Sequence, residues 1–384
     1  MNTYRGITWD HPRGKNALLA AAREEQRRDT GFRLEWSAHS LEGFESHPVD
    51  DLARRYDLIV LDHPHLGEAV EHQSLTPLDT VFGLERLEQW SRQAVGPTFD
   101  SYYLNGHQWA LPLDAATQVA VRKPDRVPDA PVTWNDVEDI STKVPTALSL
   151  AGPHAFLTFA SICAAYGAPL RDAYGADAGD SMTELVADDT AIPVLELMRS
   201  ISSRAPEGSL TQNPISLLQR MTDTDDIAFC PLVYGYVNYS SPSLRFSDAP
   251  SAVAGGRHGS TIGGTGLAIS ARTQVTPALI RHVEWLMSAS TQRSFIPQHD
   301  GQPSSRGAWV DDEVNRASDG FYRSTLATIE DSWVRPRFPG YISFQSSASA
   351  IIRAVVAGHE RAESGLASLR AGFVNALPVT TERV

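Results

Sequence analysis

Residues 56–67 read YDLIVLDHPHLG, and the apolar residues Leu58–Leu61 form an unbroken run at the centre of this stretch. Such a run is typical of a strand that is covered on both faces, as in a parallel sheet flanked by helices. The polar residues Asp62, His63 and His65 follow, and Pro64 between the two histidines stiffens the loop. The stretch therefore predicts a buried strand that ends in a rigid polar loop.

The residues before this strand predict two more strands with helices between them. Residues 4–10 (YRGITWD) and 32–40 (FRLEWSAHS) have the apolar content of strands. Residues 16–28 place alanine and leucine on one face and charges on the other, and residues 44–55 predict a second helix. Strands alternating with helices indicate an α/β lobe with a mainly parallel sheet.

The middle of the chain predicts a second lobe. Residues 110–114 (ALPLD) predict an extended crossing segment, and residues 133–140 (TWNDVEDI) predict a helix capped by Thr133 or Asn135. The glycine-dense residues 251–270 are interpreted as the return to the first lobe. We therefore assign residues 1–112 and 252–301 to the first lobe and residues 113–251 and 302–384 to the second, with hinges near Leu113–Asp114, residues 254–256 and Gln302.

Composition narrows the possible partners. The chain has 384 residues, a net charge of −13 and no basic run, so a nucleic-acid partner is not expected. No apolar stretch approaches the length of a membrane span. Cys163 and Cys230 lie in apolar contexts without metal-ligand spacing, and we expect both to be buried free thiols.

The N-terminus leads directly into the first predicted strand, without the features of a secretory leader. This favours a cytoplasmic protein. The alternative is a periplasmic protein or an extracellular lipoprotein from which a leader has been removed.

Several later segments, taken in order, resemble one family. They are GGTGLAIS (263–270), VEWLMS (283–288), TQRSF (291–295), GQPSSR (301–306) and RPRFPGYISFQ (335–345), together with ALPLD and TWNDVEDI. This order resembles extracellular solute-binding protein family 1, the sugar-binding subunits of ABC importers, which are related to maltose-binding proteins.

The resemblance implies a periplasmic-binding-protein-like fold, with two discontinuous α/β lobes joined by crossing hinge strands around a central ligand cleft. It also implies a solute-binding protein that closes around a small polar ligand, most simply a carbohydrate, and an ABC permease as partner. No cofactor is implied.

A sugar site needs carboxylates and amides for hydroxyl groups and aromatic rings for the apolar sugar face. Loops at the carboxyl ends of strands are the expected place for such groups. The candidate ligand-binding residues are Trp9, Asp10, His11, His39, Asp62, His63, His65, Asp114, Gln118, Tyr234, Tyr236, Gly264, Thr265, Arg306, Arg337 and Tyr341.

Other site chemistries have weaker patterns. His63 and His65 form a His-x-His pattern beside Asp62, but the pattern has no distant further ligand of known placement, so no metal site is predicted. The glycines at 263–266 lack the lysine of a phosphate-binding loop and the dinucleotide spacing. We expect a bend there, where the backbone approaches the ligand or the opposite lobe.

Enzyme signatures such as GxSxG, SxxK and HExxH are missing from the sequence. The pattern therefore favours a binding protein over an enzyme. The alternatives are a cytoplasmic hydrolase or isomerase that uses Asp10, Asp62 or Asp114 with His11 or His63, and a ligand sensor on the same fold.

Overall fold

The computed structural model describes residues 2–28, 31–170 and 185–378. The chain forms two compact units, each built from separate segments. Unit 1 contains residues 1–116, 236–238 and 263–323, and unit 2 contains residues 117–235, 239–262 and 324–384.

The strands of the described residues are β1 (Asn2–Trp9), β2 (Phe32–His39), β3 (Leu58–Leu61), β4 (Tyr103–Leu104), β5 (His107–Gln108), β6 (Ala110–Arg122), β7 (Phe229–Tyr234), β8 (Arg245–Ser247) and β9 (Ile262–Ile269). The helices of the described residues are α1 (Pro12–Arg28), α2 (Leu41–Ser46), α3 (Val49–Arg55), α4 (Leu66–Glu71), α5 (Asp79–Phe82), α6 (Leu84–Gln93), α7 (Trp134–Ser141), α8 (His154–Ala165), α9 (Asp188–Ser202), α10 (Pro214–Asp223), α11 (Pro277–Leu286), α12 (Ile296–Gln298), α13 (Arg306–Trp309), α14 (Asp312–Ala317), α15 (Phe321–Ser324), α16 (Leu326–Glu330), α17 (Tyr341–Val356) and α18 (Ala362–Ala376).

The sheet of unit 1 has the strand order β2-β1-β3-β9-β6. β1 runs parallel to both β2 and β3, as the opening of the sequence predicts, whereas β9 runs antiparallel to β3. All four residues of β3 are buried, and Ile59 and Leu61 pack in one core with Leu52 and Leu66 from the flanking helices. The prediction of a strand covered on both faces is confirmed.

Two predicted helices differ from those observed. α1 begins at Pro12 rather than residue 16, because proline is well suited to the first helical position, where no backbone N–H donor is needed. The helix predicted over residues 44–55 is two short helices, α2 and α3, which are interrupted at His47–Pro48. Pro48 cannot donate the backbone hydrogen bond that a continuous helix requires at that position.

In unit 2, β6 continues from unit 1 and pairs antiparallel with β7 and β8. Every residue of α8 is buried. α7 begins with a capping box in which Thr133 and Asp136 each accept the other's backbone N–H, which confirms the predicted helix start. Both cysteines are buried free thiols, as expected.

The division into units differs from the predicted lobes in four segments. Residues 113–116, 236–238 and 302–323 belong to unit 1, and residues 252–262 belong to unit 2. The place of residues 302–305 in unit 1 has a physical cause: Pro303 forms an antiparallel bridge with Asp114, and the Ala115 N–H donates to the Gln302 carbonyl at 3.0 Å. These bonds attach residues 302–305 to the part of β6 that lies in unit 1.

Gly264 occupies a position in β9 where a side chain does not fit. Its φ is +91°, and a Cβ atom there would lie 2.3 Å from the carbonyl oxygen of Asp114. Gly31 has the same φ, but a Cβ at that position meets no atom within 4 Å. A comparison of substitutions at Gly31 and Gly264 therefore separates two losses of stability: the loss from a side chain in left-handed backbone, and the loss from the close approach to β6.

We predict that Gly31→Ala lowers the free energy of unfolding by about 1–2 kcal/mol, the cost of placing a side chain in left-handed backbone. Gly264→Ala should lower it by clearly more, because the new methyl group also collides with β6. Urea unfolding followed by tryptophan fluorescence measures both. Equal losses for the two variants would show that β9 and β6 are not in this close contact.

Candidate functional site

The end of β1 and the start of α1 bring three functional side chains together. β1 ends at Trp9 and α1 begins at Pro12, so His11 lies in the short connection and Arg13 in the first helical turn. Gly14 makes this packing possible, because a Cβ there would lie 2.3 Å from Nε1 of Trp9. The indole of Trp9 is 2% exposed and lies directly against the backbone of α1.

Arg13 and Asp114 form a buried bidentate ion pair in unit 1. Nε of Arg13 donates to Oδ1 of Asp114 at 2.8 Å, and a terminal guanidinium nitrogen donates to Oδ2 at 2.6 Å. The two side chains are 4% and 6% exposed. Burial raises the pKa of the Asp114 carboxyl, and the Arg13 guanidinium opposes that shift. The pair joins α1 to β6.

Aromatic rings cover this ion pair. The guanidinium carbon of Arg13 lies 4.5 Å from the ring centroid of Tyr236, within the range of a cation–π contact. The rings of Trp9 and His11 stack at 5.2 Å and 9°, and Tyr236 meets the His11 ring edge-on at 5.0 Å. The result is a packed cluster of one ion pair and three rings, which we call the β1-end cluster: Trp9, His11, Arg13, Asp114 and Tyr236.

His11 is held in its neutral form. Its Nδ1 accepts the backbone N–H of Arg13 at 3.1 Å, so the neutral ring carries its proton on Nε2. Burial, followed by the charges of Arg13 and Lys15, lowers the pKa of His11 to about 4. At neutral pH the ring therefore presents an N–H donor at Nε2.

Asp10 lies beside the cluster and is exposed. Its backbone N–H donates to the carbonyl of His39 at 2.7 Å, which ties the ends of β1 and β2 together. One oxygen of its carboxylate pairs with Lys15. Asp10 therefore offers a carboxylate to solvent next to the His11 ring.

The loop of residues 300–305 holds the cluster in place. The Gln302 side chain donates through Nε2 to the Ala115 carbonyl at 2.6 Å and accepts the Val237 N–H through Oε1 at 3.0 Å. Ser304 donates to the Pro112 carbonyl, one residue before Leu113 in β6. These bonds fix the backbone on either side of Asp114 and next to Tyr236.

The other candidates from the first strands have largely structural contacts. The Asp62 carboxylate accepts the His63 N–H at 2.9 Å and caps the 3₁₀ turn His63–His65, and both histidines of this turn are buried. His39 is partly buried, and burial lowers its pKa to about 4, followed by the charges of His47 and His65. Pro64 is the central residue of this turn and is buried with both histidines.

Gln118 and Tyr234 belong to unit 2. Gln118 is fully buried: its Nε2 donates to Thr158 at 3.3 Å, and its Oε1 accepts from Ser161 at 2.6 Å. Both ends of the amide are therefore used inside the unit. Tyr234 ends β7 and meets the ring of His154, the first residue of α8, edge-on at 5.8 Å.

The remaining candidates lie in both units. In unit 1, Gly264 approaches the backbone of β6, Thr265 is buried, and Arg306 is exposed at the start of α13. In unit 2, Arg337 is half-buried before α17, and Tyr341 is buried at the first position of α17, with its ring 5.5 Å from Phe338.

The structure thus gathers Trp9, His11, Asp114 and Tyr236 from the predicted set, with Asp10 beside them. Sequence reasoning missed Arg13, because the helix was predicted to begin three residues after it. Pro12 is the signal that places Arg13 in the first turn. Gln302 was predicted only as a crossing point, and its side-chain role has no local sequence signal.

Within residues 2–28, 31–170 and 185–378, no group of three or more His, Cys, Asp or Glu side chains is arranged to hold a metal ion. In the same part of the chain, none of the helices combines the length and the apolar character needed to cross a bilayer.

Solved structures of ABC transporter solute-binding proteins share this fold over nearly the whole chain. A solute-binding protein from Agrobacterium radiobacter in complex with ribitol is 17% identical, with a TM-score of 0.78 and coverage of 98% of this chain and 99% of that one. Maltose-bound MalE3 from T. maritima is 14% identical, with a TM-score of 0.81 and coverage of 98% and 100%. A protein from Agrobacterium vitis with bound D-mannitol is 16% identical, with a TM-score of 0.74 and coverage of 98% of both chains.

Neither a protein-family model nor a curated protein sequence matches this chain. The likeness to the solved structures, at such low identity, is a likeness of fold. The predicted periplasmic-binding-protein-like fold is confirmed by it.

Removal of one partner of the buried ion pair should destabilise the protein more than removal of both partners. Asp114→Asn leaves the Arg13 guanidinium buried without a counter-charge, and we expect the free energy of unfolding to fall by about 3–5 kcal/mol. Replacing both residues with apolar ones, Arg13→Met with Asp114→Leu, should cost less than Asp114→Asn alone. Urea unfolding of the three proteins measures these differences.

Asp50→Asn is the matched control, because Arg54 lies 2.9 Å from Asp50 in a pair whose arginine is 66% exposed. We expect a change within about 0.5 kcal/mol there. If Asp114→Asn cost no more than this control, the carboxylate would not be the buried partner of Arg13.

The lowered pKa values of His11 and His39 predict that the folded protein loses stability in mild acid. The pKa of His11 is about 4 in the folded chain and near its ordinary 6.5 in the unfolded chain, so the unfolded chain binds more protons between these values. The free energy of unfolding should therefore be highest above pH 6.5 and fall toward pH 4, by at most about 3 kcal/mol from His11. His39 adds to the same trend.

His11→Gln should flatten this pH dependence, whatever its effect on stability at pH 7. His72→Gln is the control, because His72 is exposed. Urea midpoints between pH 4 and 7.5 provide the test, and a slope that is equally steep in His11→Gln would contradict the assignment of a buried neutral ring.

Proposed function

We propose that this chain is a solute-binding protein that holds a small polyhydroxy ligand, such as a sugar or polyol, at the β1-end cluster. The observation that carries the proposal is the position of this cluster. It lies at the carboxyl end of a parallel strand, in a fold whose solved examples include proteins with bound ribitol, maltose and D-mannitol.

The chemistry of the cluster suits hydroxyl groups. The Asp10 carboxylate accepts hydrogen bonds from hydroxyls, and the neutral His11 ring donates one from Nε2. Sugar hydroxyls serve as both donors and acceptors, so a carboxylate and a neutral imidazole side by side match them.

The rest of the cluster supplies rigidity. Arg13 and Asp114 satisfy each other, and the rings of Trp9 and Tyr236 both contact the His11 ring. A contact group whose own rotamer is fixed by packing loses little conformational entropy when a ligand binds. The buried part of the cluster thus serves as a support for Asp10 and His11.

A solute-binding protein of this fold implies an ABC permease as partner, and this remains part of the proposal. The closure of two lobes around the ligand, the cytoplasmic location and the alternative exported location stay predictions from the sequence. An enzyme would convert the ligand, whereas a binding protein leaves it unchanged. Recovery of the ligand after incubation therefore distinguishes binding from turnover.

We expect at least one neutral sugar or polyol to raise the thermal unfolding midpoint of the full chain, since a ligand that binds only the folded state stabilises it. Calorimetric titration then gives the affinity, and mass spectrometry should recover the ligand unchanged. Recovery of a new product would contradict this proposal and show that the protein is an enzyme.

Asp10→Ala and His11→Ala should each weaken binding by about 1–3 kcal/mol, the range for a lost hydrogen bond that involves a charged or buried group. Asp50→Ala, on α3 of the same unit, is the matched carboxylate control and should keep the affinity. Unchanged binding in both Asp10→Ala and His11→Ala would remove the β1 end from the ligand site.

A further inference from the structure

Asp300 has an unusual backbone conformation next to the β1-end cluster. Its φ is +64°, a left-handed value that few residues other than glycine adopt. It follows α12, which itself follows a π-helical turn at Thr291–Phe295. Residues held in such conformations are fixed by the structure around them and are found disproportionately at functional sites.

Two side chains of unit 1 hold Asp300 in this position. Nδ2 of Asn16, on α1, donates to Oδ2 of Asp300 at 2.7 Å. Nδ2 of Asn238 donates to the Asp300 carbonyl at 3.2 Å. These asparagines belong to the two segments that carry His11 and Tyr236. Asn16 holds the carboxylate of Asp300, and Asn238 holds its backbone.

The carboxylate of Asp300 keeps capacity for a further partner. The residue is exposed, and its Oδ1 accepts no hydrogen bond from the part of the chain that the structure describes. The two cationic residues in the first turn of α1 have other partners. Arg13 pairs with Asp114, and Lys15 pairs with Asp10. Its charge acts on the His11 ring, whose pKa it raises against the larger lowering by burial.

We propose that Oδ1 of Asp300 binds a hydroxyl or ammonium group of the ligand, and that this uncompensated carboxylate makes the site select neutral sugars, polyols and amino sugars against sugar acids. The inference rests on the proposed function and specifies its ligand class.

The reason is electrostatic. A ligand that contacts Asp10 and His11 lies beside two carboxylates, while His11 is neutral and both neighbouring cations are already paired. An anionic group brought there is repelled by the carboxylate of Asp300, which has no ion pair with a described side chain, whereas an ammonium group gains a charged hydrogen bond. Hydroxyl groups donate to the carboxylate without either effect.

The test compares three kinds of probe on the full chain by calorimetric titration: ribitol, D-mannitol and maltose as neutral ligands, D-glucosamine as the amino sugar, and D-gluconate as the acid. The unchanged protein should bind a neutral probe or D-glucosamine and bind D-gluconate at least about tenfold more weakly. Equal affinity for D-gluconate would overturn the inference.

Asp300→Asn keeps the shape and tolerates the same backbone conformation. We expect it to weaken binding of the best probe by about tenfold and to narrow the gap between that probe and D-gluconate. Asp319→Asn is the matched control: Asp319 also has a positive φ in unit 1, but it follows α14. It should leave all affinities unchanged.

Two outcomes separate this inference from the proposed function. If His11→Ala weakens binding as expected and Asp300→Asn changes neither affinity nor selectivity, the site stands and the role of Asp300 is wrong. If no neutral or amino probe binds the unchanged protein, the proposed function is wrong and the inference falls with it.

Discussion

The buried pair of Arg13 and Asp114 is the constraint on which the candidate site depends. A guanidinium that is 4% exposed is tolerated only with its carboxylate in bidentate contact, because either charge alone would be buried without compensation. The pair therefore requires α1 and β6 to arrive in a single relative position. Everything else in the cluster is arranged around that requirement: Tyr236 covers the guanidinium, and Gln302 fixes the backbone next to Asp114.

This constraint also determines the charge of the site. The pair is neutral as a whole, and burial keeps His11 uncharged. Outside the pair, the charges that act on the His11 ring are those of Lys15, Asp300 and Asp10. The Asp10–Lys15 pair is exposed and hence weakly coupled. The chemistry offered to a ligand thus comes from a few polar atoms at the edge of a cluster in which Arg13 and Asp114 satisfy each other.

The sequence predicted the fold better than the site, for a physical reason. Leu58–Leu61 and the strand before α1 are local patterns, and local patterns predict strands, helices and their ends well. Asp114 was identified as a candidate by its position in the crossing strand, but its partner was not, because the start of α1 was placed after Arg13. The bond from Gln302 to Ala115 joins residues 187 apart, and no local pattern carries such a contact.

The candidates chosen by residue type divide according to how much of their hydrogen-bonding capacity the protein itself uses. Gln118 was predicted as a ligand group, and both ends of its amide are used inside unit 2. Asp300 was not predicted, yet one of its oxygens accepts nothing from the described residues. Since a polar group whose partners are already in place gains little from a ligand, unused capacity next to a rigid support is a better guide to a binding site than residue type, and only a structure shows it.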